Sequence, residues 1–250
     1  MFRTVLSIVV GVVCFVTGAT AFADVEEKIK AAMTGDLRSE ADIARDGNRK
    51  PVQTLAFFGL EEDMRVLELL PGGGWYTKLL GPVLAEEGKL YVAIGTTGVE
   101  RMQADGKLAK VEIVKVDQGP FTRAEGSRRS GTDKLKLNVK NIDLTVTFRN
   151  LHNFNAATRA LLNDEVFRVT KSGGLYGVID HSRRHMQADN SENRRRMDPV
   201  LVIKEVEAAG FEFVDYSDLH YRYDDELVYE VGRRSVSGNT DRFTLLFKKP

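Results

Sequence analysis

LELLPGGGWYTKLL, residues 67–80, joins one apolar run to another through a proline and three glycines. Glycine loses more conformational freedom on folding than any other residue. Gly72, Gly73 and Gly74 in succession therefore mark a place where backbone turns tightly or meets another molecule closely. Before them, residues 65–70 (RVLELL) are short, apolar and strand-like; after them, residues 75–85 carry apolar positions at helical spacing. The unit is strand, glycine turn, helix.

The same alternation continues outward. KLYVAI (89–94), VEIVKV (111–116), IDLTVTF (142–148), LYGVI (175–179), residues 211–216 and RFTLLFK (242–248) read as further strands. Helical runs lie at 99–108 and 156–170, and another is opened by Pro199 and stopped by Gly210. Residues 117–136 are charged and contain glycine, so loop or cover is expected there. Strands alternating with crossover helices predict an α/β fold: a doubly wound, mostly parallel seven-stranded sheet. No helix separates the last two strands, so an antiparallel edge strand is expected. Residues 24–60 read as an N-terminal helical extension, in which Pro51 opens a helix with Val52, Leu55, Ala56 and Phe58 on its buried face. The α/β domain is expected over 61–250.

The chain begins MFRTVLSIVVGVVCFVTGATAFADVEE. Arg3, the apolar run 5–16 and Ala21-Phe22-Ala23 have the layout of a signal peptide over 1–23, cut before Asp24. The apolar run is shorter than the roughly 20 residues that span a bilayer, so no stable membrane anchor is expected after cleavage. Export, to a periplasm, is the expected destination. Cys14 is the only cysteine and falls inside this segment. A mature chain without a thiol has no disulfide, no cysteine nucleophile and no thiolate metal site. The whole chain carries 36 basic and 36 acidic residues, which gives no global attraction to nucleic acid or anionic lipid.

In open α/β sheets the ligand sits beyond the carboxyl ends of the strands, and the first strand-to-helix turn is part of that crevice. A tight turn with nothing bound is the plain alternative. The dinucleotide fingerprint G-x-G-x-x-G fails, because Thr77 stands where the third glycine belongs. There is no P-loop, no Tyr-x-x-x-Lys pair and no nucleophile elbow.

VLELLPGGG resembles the first motif of class I S-adenosylmethionine-dependent methyltransferases: a strand, an acid (Glu68), then a glycine turn, with Leu70 in place of its first glycine. DIARDGNRKPVQTLAFFGL, ELLPGGGWYTKLLG, RNLHNF, GVIDH, RRMDPVLVIKEVEAAGF and TDRFTLLFKKP, in that order, are similar to a group of exported bacterial proteins described as predicted methyltransferases. The resemblance implies S-adenosylmethionine as cofactor and an unidentified, small-molecule methyl acceptor. It places Gly72, Gly73 and Gly74 against the methionine carboxylate end, with Glu68 near the amino group and Pro71 shaping the turn. Ile94 stands where such enzymes usually carry the acid that holds the ribose hydroxyls, so Glu100 would have to reach back. A non-catalytic, exported ligand-binding protein on the same fold is the alternative.

Other candidates follow from position. Trp75 and Tyr76 at the helix start can stack on a planar ligand or pack in the core. Asn150 and His152 follow the strand 142–148, where His152 is a candidate base or a helix cap. Asp180 and His181 end the next strand; as neighbours they point to opposite faces, so His181 is expected to meet His152 rather than Asp180. No spacing supports a metal site from His152, Asp180 and His181. Arg45 and Arg49, at helical spacing, are candidates to fold over the crevice and bind substrate. Arg196 belongs to an arginine-rich run, 183–198, that reads as a solvated loop or as a lid meeting an anion. Acids flank that run and no aromatic residue interleaves with it, which argues against nucleic acid.

Overall fold

The computed structural model describes the backbone of residues 17–250 and the side chains of residues 24–250, so the signal segment expected over 1–23 lies outside the fully described residues. The chain begins with α1 (Thr17–Met33), α2 (Glu40–Ile43), α3 (Asp46–Arg49) and α4 (Pro51–Phe57). β1 (Arg65–Leu69), α5 (Thr77–Val83), β2 (Lys89–Ala93), α6 (Thr97–Ala104) and β3 (Glu112–Ile113) follow. Next come β4 (Val116–Gln118), β5 (Leu135–Leu137), β6 (Ile142–Phe148), α7 (Ala156–Val169) and β7 (Thr170–His181). The chain closes with α8 (Pro199–Ala208), β8 (Glu212–Ser217) and β9 (Arg242–Lys248).

Seven strands form one sheet in the order β3-β2-β1-β6-β7-β9-β8. β9 runs antiparallel to both β7 and β8; it sits at the expected end of the sheet, one place in from the rim. The strand order reverses between β1 and β6, and this switch point opens the crevice. β4 and β5 pair as a separate antiparallel ribbon inside the segment expected to be loop. β7 starts at Thr170 rather than 175, because the strand continues through Gly173 and Gly174 alongside β6 and β9.

Strand periodicity sorts the core into two layers. In β1, Leu67 and Leu69 face the side covered by Leu162 and Val166 of α7 and Val202 and Val206 of α8. Val66 faces the other side, with Val25 and Ile29 of α1, Leu55 of α4 and Leu79 and Leu80 of α5. Glu68 shares the parity of Val66, which carries its carboxylate under the start of α5. The helical extension is therefore part of one core layer. A second clamp comes from Asp42. Its carboxylate accepts from Lys78 of α5 at 2.6 Å and closes a capping box with Ser39 on α2, while its carbonyl accepts from Trp75 Nε1 at 2.9 Å. No described helix is long and apolar enough to cross a membrane.

Candidate functional site

Three neighbouring parallel strands end alike. Leu70 after β1, Ile94 after β2 and Arg149 after β6 all adopt left-handed backbone, with φ of 52°, 63° and 64°. A side chain there costs about 1–2 kcal/mol, and such strain clusters where function fixes the backbone. Leu70 thus takes the conformation that the missing glycine would take without strain. The turn itself then runs through Gly72 and Gly74 at φ 57° and 73°.

The glycine turn presents bare backbone. A Cβ built on Gly72 or Gly73 would meet no atom within 4 Å. The Gly74 N–H is used by the Pro71 carbonyl at 2.9 Å, whereas those of Gly72 and Gly73 have no backbone acceptor among the described residues. Successive free N–H groups of this kind form an anion-binding nest. From behind, Gly98 of α6 presses on the turn so closely that a Cβ there would overlap the Gly72 carbonyl oxygen. Asn150 ties the end of β6 to the end of β1, its amide donating to the carbonyls of Leu69 (3.4 Å) and Leu70 (3.3 Å).

Beneath the turn lies a cavity of about 200 Å³, walled by Arg45, Arg49, Glu68, Gly72, Gly73, Arg149 and Asn150 among others. Arg45 and Arg49 do fold over the crevice. Arg45 is held by the Asp42 carboxylate at 2.7 Å. The Arg49 guanidinium lies over the Trp75 ring, 4.4 Å from its centroid. Trp75 and Tyr76 are therefore committed to protein: Tyr76 stacks on Phe148 at 3.5 Å and donates to the Arg49 carbonyl at 3.3 Å. Both rings are packed in the core and also form part of the cavity wall.

Glu68 is buried and accepts from Thr77 at 2.6 Å; burial pushes its pKa up to about 7. His220 is buried beside the Arg49 carbonyl and Thr244, and burial pushes it down to about 4. These two groups oppose each other in pH dependence. Folding favours protonated Glu68, so its contribution is full below pH 4.5 and is lost as the pH rises towards 7. Folding favours neutral His220, so its contribution is full above pH 6.5 and is lost as the pH falls towards 4. Each is worth about 3 kcal/mol, so they offset one another over the shared window. Glu68→Gln, which keeps an acceptor for Thr77, is expected to gain stability over the wild type at pH 7.5 but not at pH 4. Urea denaturation at both pH values tests this; a difference between the two proteins that does not change with pH refutes it.

A second cluster stands at the ends of β6 and β7. His152 Nδ1 lies 2.7 Å from Asp180 Oδ1, and the other carboxylate oxygen accepts the His152 backbone N–H at 3.1 Å. The acceptor carboxylate fixes the Nδ1–H tautomer and leaves Nε2 as a lone-pair site. His181 meets His152 as expected, ring centroids 5.9 Å apart, while its own Nδ1 pairs with the Thr240 hydroxyl at 2.9 Å. Burial, then the nearby Arg242, holds His181 well below the usual imidazole range. The pair His152–Asp180 lies beyond the walls of the cavity, three residues along the same loop from Arg149.

Arg196 corrects an expectation. It is not on a lid: fully buried, it forms a two-pronged pair with buried Asp225 at 2.8 and 2.9 Å and donates to the carbonyls of Ser182 and Tyr229. At the β2 end, Ile94 is buried and Glu100 accepts from Thr96 Oγ1 at 2.6 Å, so no carboxylate stands at the end of the strand. Among the described residues no group of three His, Cys, Asp or Glu side chains converges to hold a metal ion. Arg149 and Gly98 were not singled out from sequence. A lone arginine after a strand has no pattern, while the GTTG spacing behind Gly98 was legible in principle.

The strand order, the antiparallel β9 and the glycine turn at the switch point are those of the class I methyltransferase fold. A SAM-dependent methyltransferase from Aquifex aeolicus superimposes with a TM-score of 0.57 at 19% identity, over 89% of this chain and 97% of that one. The [4+2]-cyclase SpnF gives a TM-score of 0.55 at 15% identity, over 94% and 95%. An S-adenosylmethionine-dependent methyltransferase from Mesorhizobium loti gives 0.51 at 16%, over 79% and 97%. No family model matches the chain, and no curated protein matches it. At these identities the likeness is one of fold, and a cyclase on the same fold shows that the fold does not name the reaction.

Proposed function

We propose that the protein is an S-adenosylmethionine-dependent methyltransferase acting on a small-molecule acceptor. The observation that carries this reading is the bare face of the glycine turn. Gly72 and Gly73 have free N–H groups and no atom within 4 Å of a built Cβ, at the switch point of a fold whose solved examples include methyltransferases. The residues present fit the amino-acid end of the cofactor: the Gly72 and Gly73 N–H groups for its carboxylate, with Glu68 and Asn150 beside them. With Ile94 at the end of β2 the ribose hydroxyls would find no acid there, and the Gly72 and Gly73 N–H groups would be the main hold on the cofactor. Bound there, it supplies an electrophilic methyl group for in-line transfer. The chain's own contribution is orientation of the acceptor and a place for its proton, His152 Nε2, with Asp180 holding the ring.

Gly73→Ala tests the reading with little risk to the fold, because Gly73 has ordinary backbone and open space around a Cβ. The variant is expected to unfold at the wild-type temperature and to bind S-adenosylmethionine at least tenfold more weakly by calorimetry. Equal affinity, or no binding to the wild type at millimolar cofactor, defeats the proposal.

Ile94 and the Thr96–Glu100 bond favour a second reading, a ligand-binding protein without transferase activity on this fold. Binding of S-adenosylmethionine and of its demethylated product with equal affinity, and no turnover with any acceptor, would support it. Export after cleavage before Asp24 belongs to both readings. The mass of the N-terminal peptide recovered from a periplasmic fraction tests it: a chain that retains Met1 to Ala23 rules cleavage out.

A further inference from the structure

Among the described residues, three of the five buried arginines have acidic partners; Arg49 and Arg242 do not. Arg38 pairs with Asp46, Arg159 with Glu205 and Arg196 with Asp225. Arg49 is only 7% exposed, yet no described residue accepts a hydrogen bond from its side chain, and its neighbours are the rings of Trp75 and Tyr76. The side chain of Arg149, in the same cavity wall, also has no acceptor among the described residues. Burial and then the charge of Arg149 lower the pKa of Arg49; burial also lowers that of Arg149, with Tyr76 and Asp180 acting against it and Arg45 and Arg195 with it. Buried Arg242 adds to this crowding around Arg49 and half-buried Arg149.

Arg49 is placed deliberately. Its carbonyl accepts from Thr54 Oγ1 at 2.8 Å, His220 Nε2 at 3.1 Å and the Tyr76 hydroxyl at 3.3 Å. The preceding carbonyl, of Asn48, holds Arg242 at 3.0 Å. Three separate parts of the chain thus fix one arginine, and the cavity is the direction left to its N–H groups. The charges facing it do not cancel it. Glu68, whose charge reaches Arg49, is bonded to Thr77 and supplies at most one negative charge against two guanidiniums; Asp42 is taken by Arg45 and Lys78, and Asp180, which acts on Arg149, is committed to His152. S-adenosylmethionine, with a sulfonium and an ammonium against one carboxylate, brings net positive charge and does not balance the pair.

We propose that Arg49 and Arg149 form a receptor for a doubly charged oxyanion, a phosphate or dicarboxylate group carried by the methyl acceptor. Two unpaired guanidinium groups match two negative charges, and guanidinium donates in the forked geometry that such groups accept. The cavity of about 200 Å³ holds a small anionic group, not an extended chain. The role as part of the acceptor rests on the methyltransferase reading, whereas anion binding does not.

Calorimetry on the folded protein at pH 7.5 with inorganic phosphate, malonate and nitrate tests it. Phosphate or malonate is expected to bind at least tenfold more tightly than nitrate, and the tighter of the two distinguishes phosphate from dicarboxylate. Arg49→Gln and Arg149→Asn, the latter suited to left-handed backbone, are each expected to weaken that binding at least tenfold. Lys204→Gln, a charge change on the exposed face of α8, should leave it within twofold. Binding that survives both arginine variants, or its absence at 10 mM with an unchanged circular dichroism spectrum, overturns the proposal. S-adenosylmethionine is titrated separately, with and without phosphate. An unchanged or tighter cofactor affinity in phosphate supports the acceptor role, and direct competition overturns it. Cofactor binding without phosphate binding defeats the anion receptor alone; phosphate binding without cofactor binding defeats the methyltransferase reading alone.

Discussion

Arg196→Met is expected to cost about 3–5 kcal/mol of folding stability, the range for removing one partner of a buried ion pair. The cost comes from what remains. Asp225 keeps the backbone N–H groups of Leu227 and Asp241 but loses both prongs of the guanidinium, and its charge stays out of water. The pair closes the 183–198 segment onto the 220–241 segment, so the melting temperature should fall by roughly 10 °C. Ligand affinity of the folded variant should match the wild type, because Arg196 does not line the cavity at the glycine turn. A loss below about 1 kcal/mol, or a variant that folds normally but binds poorly, would restore Arg196 to a ligand role. Arg196→Met combined with Asp225→Leu should recover part of the loss, since no buried charge is then stranded.

The second large effect concerns rate. His152→Ala is expected to lower turnover by about 10²–10⁴-fold, the usual contribution of a positioned general base, with cofactor affinity unchanged. Asp180→Asn should lower it by less, because the ring keeps a neighbour at Nδ1 but loses the carboxylate that fixes its tautomer. Single-turnover measurements beside cofactor titrations separate the two effects. If His152→Ala binds cofactor poorly but turns over at the wild-type rate once saturated, His152 is a structural residue and the base lies elsewhere.

The strands were legible wherever a run of apolar residues was bounded by turn residues, as in RVLELL before the three glycines. Arg45 and Arg49 were legible by their spacing. Arg49's neighbours were not, since Trp75, His220 and Tyr76 reach it from distant parts of the chain. Arg196 misled because an arginine among arginines reads as solvated or as a lid. Its partner Asp225 lies 29 residues away on a segment with no regular structure. The β4–β5 ribbon escaped notice because two three-residue strands carry too few positions for a period to show.

By itself, then, the sequence determined the alternation of strands and helices, and with it the sheet, because periodicity of burial is a local property of the chain. It also determined where the backbone is bare, because Gly72 and Gly74 sit at positive φ, which glycine adopts without the strain a side chain brings. The tertiary structure decided which charges are spent and which are free. Arg196 and Arg49 are both buried arginines, and only the fold sets Asp225 against one and leaves the other facing a cavity. Pairing acts across space between residues far apart in the chain, and no local pattern records it.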